Sequence, residues 1–203
     1  MEANIVSFVI LFEFIVSGAE AVCDTSSTMA FCVGNRSITS IPTSFPSNIT
    51  ELIVDGANIS DISFADFADY RQLEHVAITD SGLQTIAADT FEGLTGLIDV
   101  DVSDNPFGVD VVDLSWVLAV GGLRTLTIVG NSLPVIQSAN VSDQTALPVV
   151  ANLDLTGQPL HCNCELGWLR NWTTEIAATG TAMAVCATPS FLAGSWHPFQ
   201  QAT

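Results

Sequence analysis

An apolar pattern that recurs every 24 to 27 residues governs how this chain folds. Three copies share the frame apolar-x-x-apolar-x-apolar-x-x-polar-x-apolar, and they begin at Leu73, Leu97 and Leu123. Two looser copies begin at Ile49 and Val150. Self-similarity at such a period is typical of a solenoid, in which each repeat buries its apolar face only against its neighbours. The sequence therefore predicts one stack of about five repeats over residues 49–157.

Each copy of the pattern predicts one short strand. Its fourth and sixth positions are apolar, as at Val100 and Val102, and alternate with residues that point into solvent. Successive strands are expected to stack in parallel at a spacing of about 4.8 Å. The polar position, filled by Asn105 and Asn131, turns the chain because an asparagine side chain can bond nearby backbone groups. Alanine, serine or glutamine takes that position in the other copies, at Ala57, Ser81 and Gln158.

The return half of the first two repeats carries large apolar residues at identical offsets. These are Ile62, Phe67 and Tyr70 in the first, and Ile86, Phe91 and Leu94 in the second. The aromatic members are expected to stack as a column on the side of the solenoid opposite the strands. The later repeats lose this offset, and Pro106 and Pro134 exclude a simple helical continuation there.

Both ends of the chain predict export. The apolar stretch 5–16, followed by Ala19-x-Ala21, predicts a signal peptide over residues 1–21, because it is shorter than the roughly 20 residues that span a bilayer. Two cysteines precede the repeats and three follow them, as expected for disulfide-stapled ends in an exported protein. Five sequons predict N-glycosylation at Asn35, Asn48, Asn58, Asn140 and Asn171.

Charge and motif content exclude several functions. The chain has 22 acidic residues, four arginines and no lysine, for a net charge of −18, so nucleic-acid binding is not expected. No nucleophile elbow or phosphate-binding glycine loop is present, so the chain is not expected to be an enzyme or to need a cofactor. The run Asp99 to Asp104 lacks the glycine and glutamate of an EF-hand, and Cys162-x-Cys164 is too tightly spaced for the usual zinc knuckle, so no metal site is predicted.

The repeat frame, the segment Cys162-x-Cys164-x3-Trp168-Leu169 and the N-terminal Cys23…Cys32…Pro42 together resemble extracellular leucine-rich repeat proteins with cysteine-capped ends. That group includes ectodomains of Toll-like, Slit-like and variable lymphocyte receptors. The resemblance implies an α/β-type repeat solenoid, a curved horseshoe whose short parallel strands line its concave face. It also implies an N-terminal cap over residues 22–48 and a C-terminal cap over residues 158–203.

The same resemblance implies how the cysteines pair. Cys23 should bond Cys32, with the second disulfide of a usual N-terminal cap missing. Cys162 should bond Cys186, which leaves Cys164 unpaired in this chain. Either its partner lies beyond Thr203 in a truncated sequence, or Cys164 is a free or intermolecular thiol.

The outward strand positions are the best candidate for a binding surface, which we call the concave face. Its predicted ligand-binding residues are Glu51, Asp55, His75, Asp80, Asp99, Asp101 and Asp104. In-register stacking should put His75 between Glu51 and Asp99, and a basic ligand would relieve the repulsion among these acids. The same acids also suit a face that merely keeps an exposed sheet soluble.

The predicted function is therefore an extracellular protein-binding module of a cell-surface receptor or adhesion protein, with a protein ligand of basic character. Membrane attachment is expected only through a segment after Thr203. The alternative is a secreted structural protein of the extracellular matrix.

Overall fold

The computed structural model describes residues 21–34, 36–107, 112–131, 136–137, 150–158, 160–161, 172–173, 176, 180–184 and 186–188. The strands within these ranges are β1 (Val22–Ser26), β2 (Met29–Val33), β3 (Glu51–Asp55), β4 (Asp61–Ile62), β5 (His75–Thr79), β6 (Thr85–Ile86), β7 (Asp99–Asp101), β8 (Val112–Asp113), β9 (Thr125–Thr127), β10 (Ile136–Gln137), β11 (Asn152–Asp154), β12 (Leu160–His161), β13 (Thr181–Met183) and β14 (Cys186–Thr188).

The main sheet has eight strands in the order β1-β2-β3-β5-β7-β9-β11-β13. From β2 onward every pairing in it is parallel, and one strand comes from each repeat. The inward residues Leu52, Val76, Val100, Leu126 and Leu153 lie directly opposite one another in successive strands. Each of these five is at most 2% exposed, so they form the spine of the core. This is the parallel-strand solenoid that the repeat pattern predicts.

The N-terminal end is closed by an antiparallel hairpin. Strand β1 pairs with β2, and Cys23 lies opposite Cys32 in that pairing. The two cysteines form the disulfide expected from the resemblance. Strand β2 then joins the solenoid in parallel register with β3, so it acts as an additional strand before the first repeat.

Helical content is low for an α/β-type solenoid. The first return segment holds helix α1 (Phe64–Phe67), which begins where the backbone N–H of Ser63 donates to Asp66 Oδ2 at 2.8 Å. The third holds a 3₁₀ helix over Ser115–Ala119. Two-residue parallel pairs connect successive return segments: β4 with β6 joins the first to the second, and β8 with β10 joins the third to the fourth. None of the helices in the described ranges is long and apolar enough to cross a bilayer.

Aromatic rings form the expected column on the return side. The ring centroids of Phe45 and Tyr70 are 6.3 Å apart, and those of Phe67 and Phe91 are 5.2 Å apart. The column continues into the third repeat, where Trp116 meets Phe91 edge-on at 5.5 Å. Trp116 stands one residue later than the offset of the first two repeats, since the third repeat is longer. The third repeat thus loses the offset, as expected, but its aromatic residue still extends the column.

Asparagines in the polar position join adjacent repeats. Asn105 is 2% exposed, and its Oδ1 accepts from the backbone N–H groups of Ser81 and Leu83 at 2.9 and 3.0 Å. Its Nδ2 donates to carbonyls of its own repeat and of the preceding one, at Val102, Ser103 and Ile78. Asn131 in turn accepts from the N–H of Asn105. The polar position therefore bonds neighbouring repeats as well as turning its own loop.

Several sequence predictions fall on residues outside the described ranges. These are the signal sequence up to residue 20, the sequons at Asn35, Asn140 and Asn171, and the side chains of Cys162, Cys164 and Cys186. The boundaries of the signal peptide and of the C-terminal cap stay predictions. Asn48 and Asn58 are both exposed, so both sequons present their asparagine to solvent.

Candidate functional site

The concave face is built from two rows of side chains that run across the main sheet. The first row is Glu51, His75, Asp99, Thr125 and Asn152, which are paired in register from β3 to β11. The second row is Ile53, Ala77, Asp101, Thr127 and Asp154. Their inward neighbours occupy the core, so strand alternation leaves these side chains on the open side. His75 thus lies between Glu51 and Asp99, as the sequence predicted.

A shallow depression of about 230 Å³ lies on this face. Its walls include four of the seven predicted ligand-binding residues, Glu51, His75, Asp99 and Asp101. The remaining lining residues are apolar or carry hydroxyl groups: Leu52, Ile53, Val76, Ala77, Thr125 and Thr127. No lysine or arginine is among these lining residues, so the depression carries an excess of negative charge.

Asp99 is the carboxylate most affected by its surroundings. Partial burial raises its pKa, the neighbouring His75 acts in the opposite direction, and the negative charge of Asp101 raises it further. His75 Nδ1 lies 3.5 Å from Asp99 Oδ2, and both side chains are a little over two-fifths exposed, at 44% and 42%. The net rise in the pKa means that the Asp99 carboxylate is under-compensated when charged. A cation placed in the depression would supply that compensation.

Asp101 is held in place by its own loop. Its Oδ1 accepts from the backbone N–H of Ser103 at 2.9 Å and from the Ser103 hydroxyl at 2.6 Å. The Ser103 Oγ also accepts from the N–H of Val129 at 3.1 Å, which ties the loop to the next repeat. The carboxylate is therefore oriented before any ligand arrives.

The other three predicted residues lie at the carboxyl ends of the strands, outside the depression. Asp55 Oδ1 accepts from the Thr79 hydroxyl at 2.7 Å. Asp80 and Asp104 are exposed and have positive φ angles of 44° and 56°, in register with Gly56 and Gly130. Asp80 pairs with Arg36, whose Nη2 lies 2.7 Å from its Oδ1. The structure thus separates the seven residues into a group in the depression and a group at its border.

Arg36 is the residue that sequence reasoning missed. The outward strand positions considered in the sequence began with the first repeat, so Arg36, which precedes that repeat, was not among them. Strand β2 pairs in parallel with β3, so the turn after β2 lies beside the turns of the later repeats. Treating β2 as a preceding repeat would have placed Arg36 next to the acidic positions.

Metal binding has no support in the part of the chain that is described. No group of three or more histidine, cysteine, aspartate or glutamate side chains is placed there to hold an ion.

The sequence of this chain is similar to those of known proteins. No protein-family model matches the chain. The chain is 30% identical over 129 residues to the high affinity nerve growth factor receptor of Mus musculus, which is 63% of this chain and 12% of that receptor. It is 43% identical over 54 residues to the human leucine-rich repeat and fibronectin type-III domain-containing protein 4, which is 27% of this chain and 8% of that protein.

A solved structure shows the same architecture. The mouse RP105/MD-1 complex contains a chain that matches with a TM-score of 0.61 and 18% identity, over 83% of this chain and 28% of that one. The chain has the leucine-rich repeat fold. This chain spans only a small share of each relative's length. These matches agree with the expectation that the module is not an enzyme.

Proposed function

We propose that this leucine-rich repeat module is the extracellular binding part of a cell-surface receptor or adhesion protein, and that it meets a basic protein ligand on the concave face. The observation that carries the proposal is the depression, where Glu51, Asp99 and Asp101 converge around His75. The border residues Asp55 and Asp104 extend the negative potential toward the carboxyl ends of the strands, whereas the charge of Asp80 is paired with Arg36.

Electrostatics support a basic partner. The whole chain carries a net charge of −18, which repels acidic surfaces and attracts basic ones over a distance of about 8 Å in physiological salt. Within the depression, the raised pKa of Asp99 shows that burial and Asp101 outweigh the stabilisation from His75. A lysine or arginine from a ligand would stabilise the charged form of Asp99 and gain affinity from it.

The second half of the concave face offers a different kind of contact. Thr125 and Thr127 on β9 and Asn152 on β11 present neutral hydroxyl and amide groups. A ligand lying across the sheet would place its basic side chain toward β3, β5 and β7, and neutral hydrogen-bonding groups toward Thr125, Thr127 and Asn152. The other outward residue of β11, Asp154, is acidic. The arrangement would thus favour one orientation of the ligand across the sheet as well as a basic charge on it.

The comparisons support a role in protein binding. One relative is named as a receptor for nerve growth factor, and the structural match comes from a complex of two proteins. The Cys23–Cys32 disulfide suits an oxidising, extracellular location. The alternative of a secreted matrix protein has no separate observation in its favour.

A charge-matched pair of variants tests the proposal. The site variant carries Glu51→Gln, Asp99→Asn and Asp101→Asn. The control variant carries Asp69→Asn, Asp89→Asn and Glu92→Gln, three exposed acids of the return segments. Both variants change the net charge equally, so any difference between them reports the place of the charge and not its amount.

Binding is measured by surface plasmon resonance against a panel of purified basic ectodomains at two salt concentrations. For a ligand of the concave face, we expect the site variant to lower the association rate about tenfold and to flatten its salt dependence. The control variant should stay within about twofold of the parent. Equal losses in both variants, or no binding to any basic ectodomain, would show that the proposal is wrong.

A further inference from the structure

His75 occupies the centre of the acidic depression. On one side β3 places Glu51 directly opposite it, and on the other side β7 places Asp99 opposite it. Asp101 is two residues further along β7, where it is paired with Ala77. The remaining carboxylate of β3, Asp55, faces Thr79 at the far end of β5. Two carboxylates therefore flank the imidazole on the neighbouring strands and a third lies diagonally from it, and no lysine or arginine is among the residues that line the depression.

The contact between His75 and Asp99 changes in character with protonation. At 3.5 Å, His75 Nδ1 and Asp99 Oδ2 are close enough for an ion pair once the imidazole is charged. Histidine is the side chain whose charge ordinarily changes between about pH 5 and pH 8. Neutral His75 leaves the carboxylates free for an external cation, whereas charged His75 places a cation among them.

We infer that His75 is a pH-responsive gate on the concave face, which admits a basic partner near neutral pH and weakens its binding in acid. This inference rests on the proposed function, because it concerns the ligand of the same depression. A protonated imidazole and a ligand's lysine or arginine compete for the same carboxylates and repel each other. A receptor with such a gate would hold its partner at the cell surface and release it in an acidified compartment.

The size of the effect follows from the spacing of the strands. A ligand cation that contacts Asp99 would lie about 5 Å from the imidazole, since adjacent strands are about 4.8 Å apart. One added positive charge at that distance, at an effective dielectric constant of about 50–70 for a site open to water, is expected to weaken binding about fivefold to tenfold.

The gate is tested on the full chain with a defined basic probe, amidated tri-arginine. Affinity is measured by NMR titration at pH 7.5 and pH 5.5 at constant ionic strength, using the backbone amides of Ala77 and Asp101 to report binding in the depression. The variant His75→Gln removes the imidazole, and His197→Gln removes another histidine as a control. The measured quantity is the ratio of the two affinities for each protein.

The parent and the His197→Gln control should lose about fivefold to tenfold in affinity on acidification, and His75→Gln should lose less than about twofold. The gate is wrong if the parent loses less than twofold or if His75→Gln loses as much as the parent. In either case binding at pH 7.5 would still support the basic-ligand face. If tri-arginine shifts the NMR signal of neither reporter amide at pH 7.5, the proposed function is wrong. The gate, which depends on that function, is then wrong as well.

Discussion

Arg36 reaches across the first repeat to the second: its Nη2 lies 2.7 Å from Oδ1 of Asp80. Its backbone N–H donates to Gly56 O at 2.9 Å, and its Nη1 donates to Ala57 O at 3.0 Å on the way. Both side chains of the pair are about half exposed, at 51% and 56%. One side chain therefore ties the N-terminal hairpin to two successive repeats.

The first prediction concerns this tie. Arg36→Gln and Asp80→Asn should each lower the free energy of unfolding by about 0.5–1 kcal/mol, since exposed ion pairs contribute at most about that much. A double-mutant cycle by urea denaturation should give a coupling free energy of about 0.5 kcal/mol. The coupling should shrink in 0.5 M salt because the pair is exposed. Additive effects of the two substitutions at low salt would contradict the contact.

The second prediction concerns the buried amide of Asn105. Replacement by alanine removes two acceptor contacts and three donor contacts, and leaves buried backbone groups of two repeats without partners. We expect a loss of about 3 kcal/mol or more in the free energy of unfolding, measured by chemical denaturation.

Two further variants provide stability losses with which the loss for Asn105→Ala can be compared. Asn105→Ser should lose less than the alanine variant, because Ser81 in the equivalent position of the preceding repeat uses its hydroxyl to bond the N–H of Ala57 and the carbonyl of Thr79. Asn58→Ala, at an exposed asparagine, should change stability by less than about 0.5 kcal/mol. Similar losses for Asn58→Ala and Asn105→Ala would show that the joining of repeats by Asn105 is not what stabilises the stack.

The repeat frame predicted the main sheet well because strand alternation and a fixed period leave little choice of register. Leu52, Val76 and Val100 must all face inward, and the residues between them must face outward. The return segments were less predictable. Their short helices depend on local capping, as at Ser63, and the third repeat shifts its aromatic to Trp116 by a one-residue difference in loop length.

The candidate site was predictable where it depends on register alone. Placing His75 between Glu51 and Asp99 needs only the period of the repeats. The pairing of Asp80 with Arg36 was not predictable in the same way, since it depends on the hairpin packing as an additional strand. The division into a depression and a border follows position along the strands, since Asp55, Asp80 and Asp104 lie at or beyond the carboxyl ends. The pattern of residue types does not show where along the strands a depression forms.

The third prediction uses a matched pair of glycines with positive φ, Gly56 at 67° and Gly82 at 74°. A Cβ on Gly56 would lie 2.5 Å from the backbone oxygen of Gly34, whereas a Cβ on Gly82 would meet Asn58 Oδ1 at an ordinary 3.5 Å. Gly82→Ala should therefore cost about 1 kcal/mol from the backbone conformation alone. Gly56→Ala should cost at least about 1 kcal/mol more in thermal or urea unfolding, because a backbone atom must move. Equal costs would contradict the close approach of the hairpin to the first repeat.

The fourth prediction concerns the pH dependence of stability. Burial raises the pKa of Asp99, so the folded chain keeps a proton that the unfolded chain has already lost. The contribution of Asp99 to the free energy of unfolding is fully present at pH values below its pKa in the unfolded chain, near 3.9. It is lost as the pH rises through the pKa in the folded chain. Asp99→Asn cannot ionise, so its stability relative to the parent should rise from pH 3.5 to pH 7.5. Because the group is half exposed, we expect a rise on the order of 0.5 kcal/mol in urea denaturation.

Asp61 provides a control of opposite sign for the same measurement. Hydrogen bonds from Ser60 and Thr85 lower its pKa, so its contribution is present above the unfolded value and is lost as the pH falls through the folded value. Asp61→Asn should therefore lose stability relative to the parent as the pH rises over the same range. If the stability of both variants relative to the parent changed in the same direction with pH, local burial and hydrogen bonding would not explain a difference between these two carboxylates. Opposite slopes would identify Asp99 as a carboxylate that is destabilised when charged and is therefore suited to a cationic ligand.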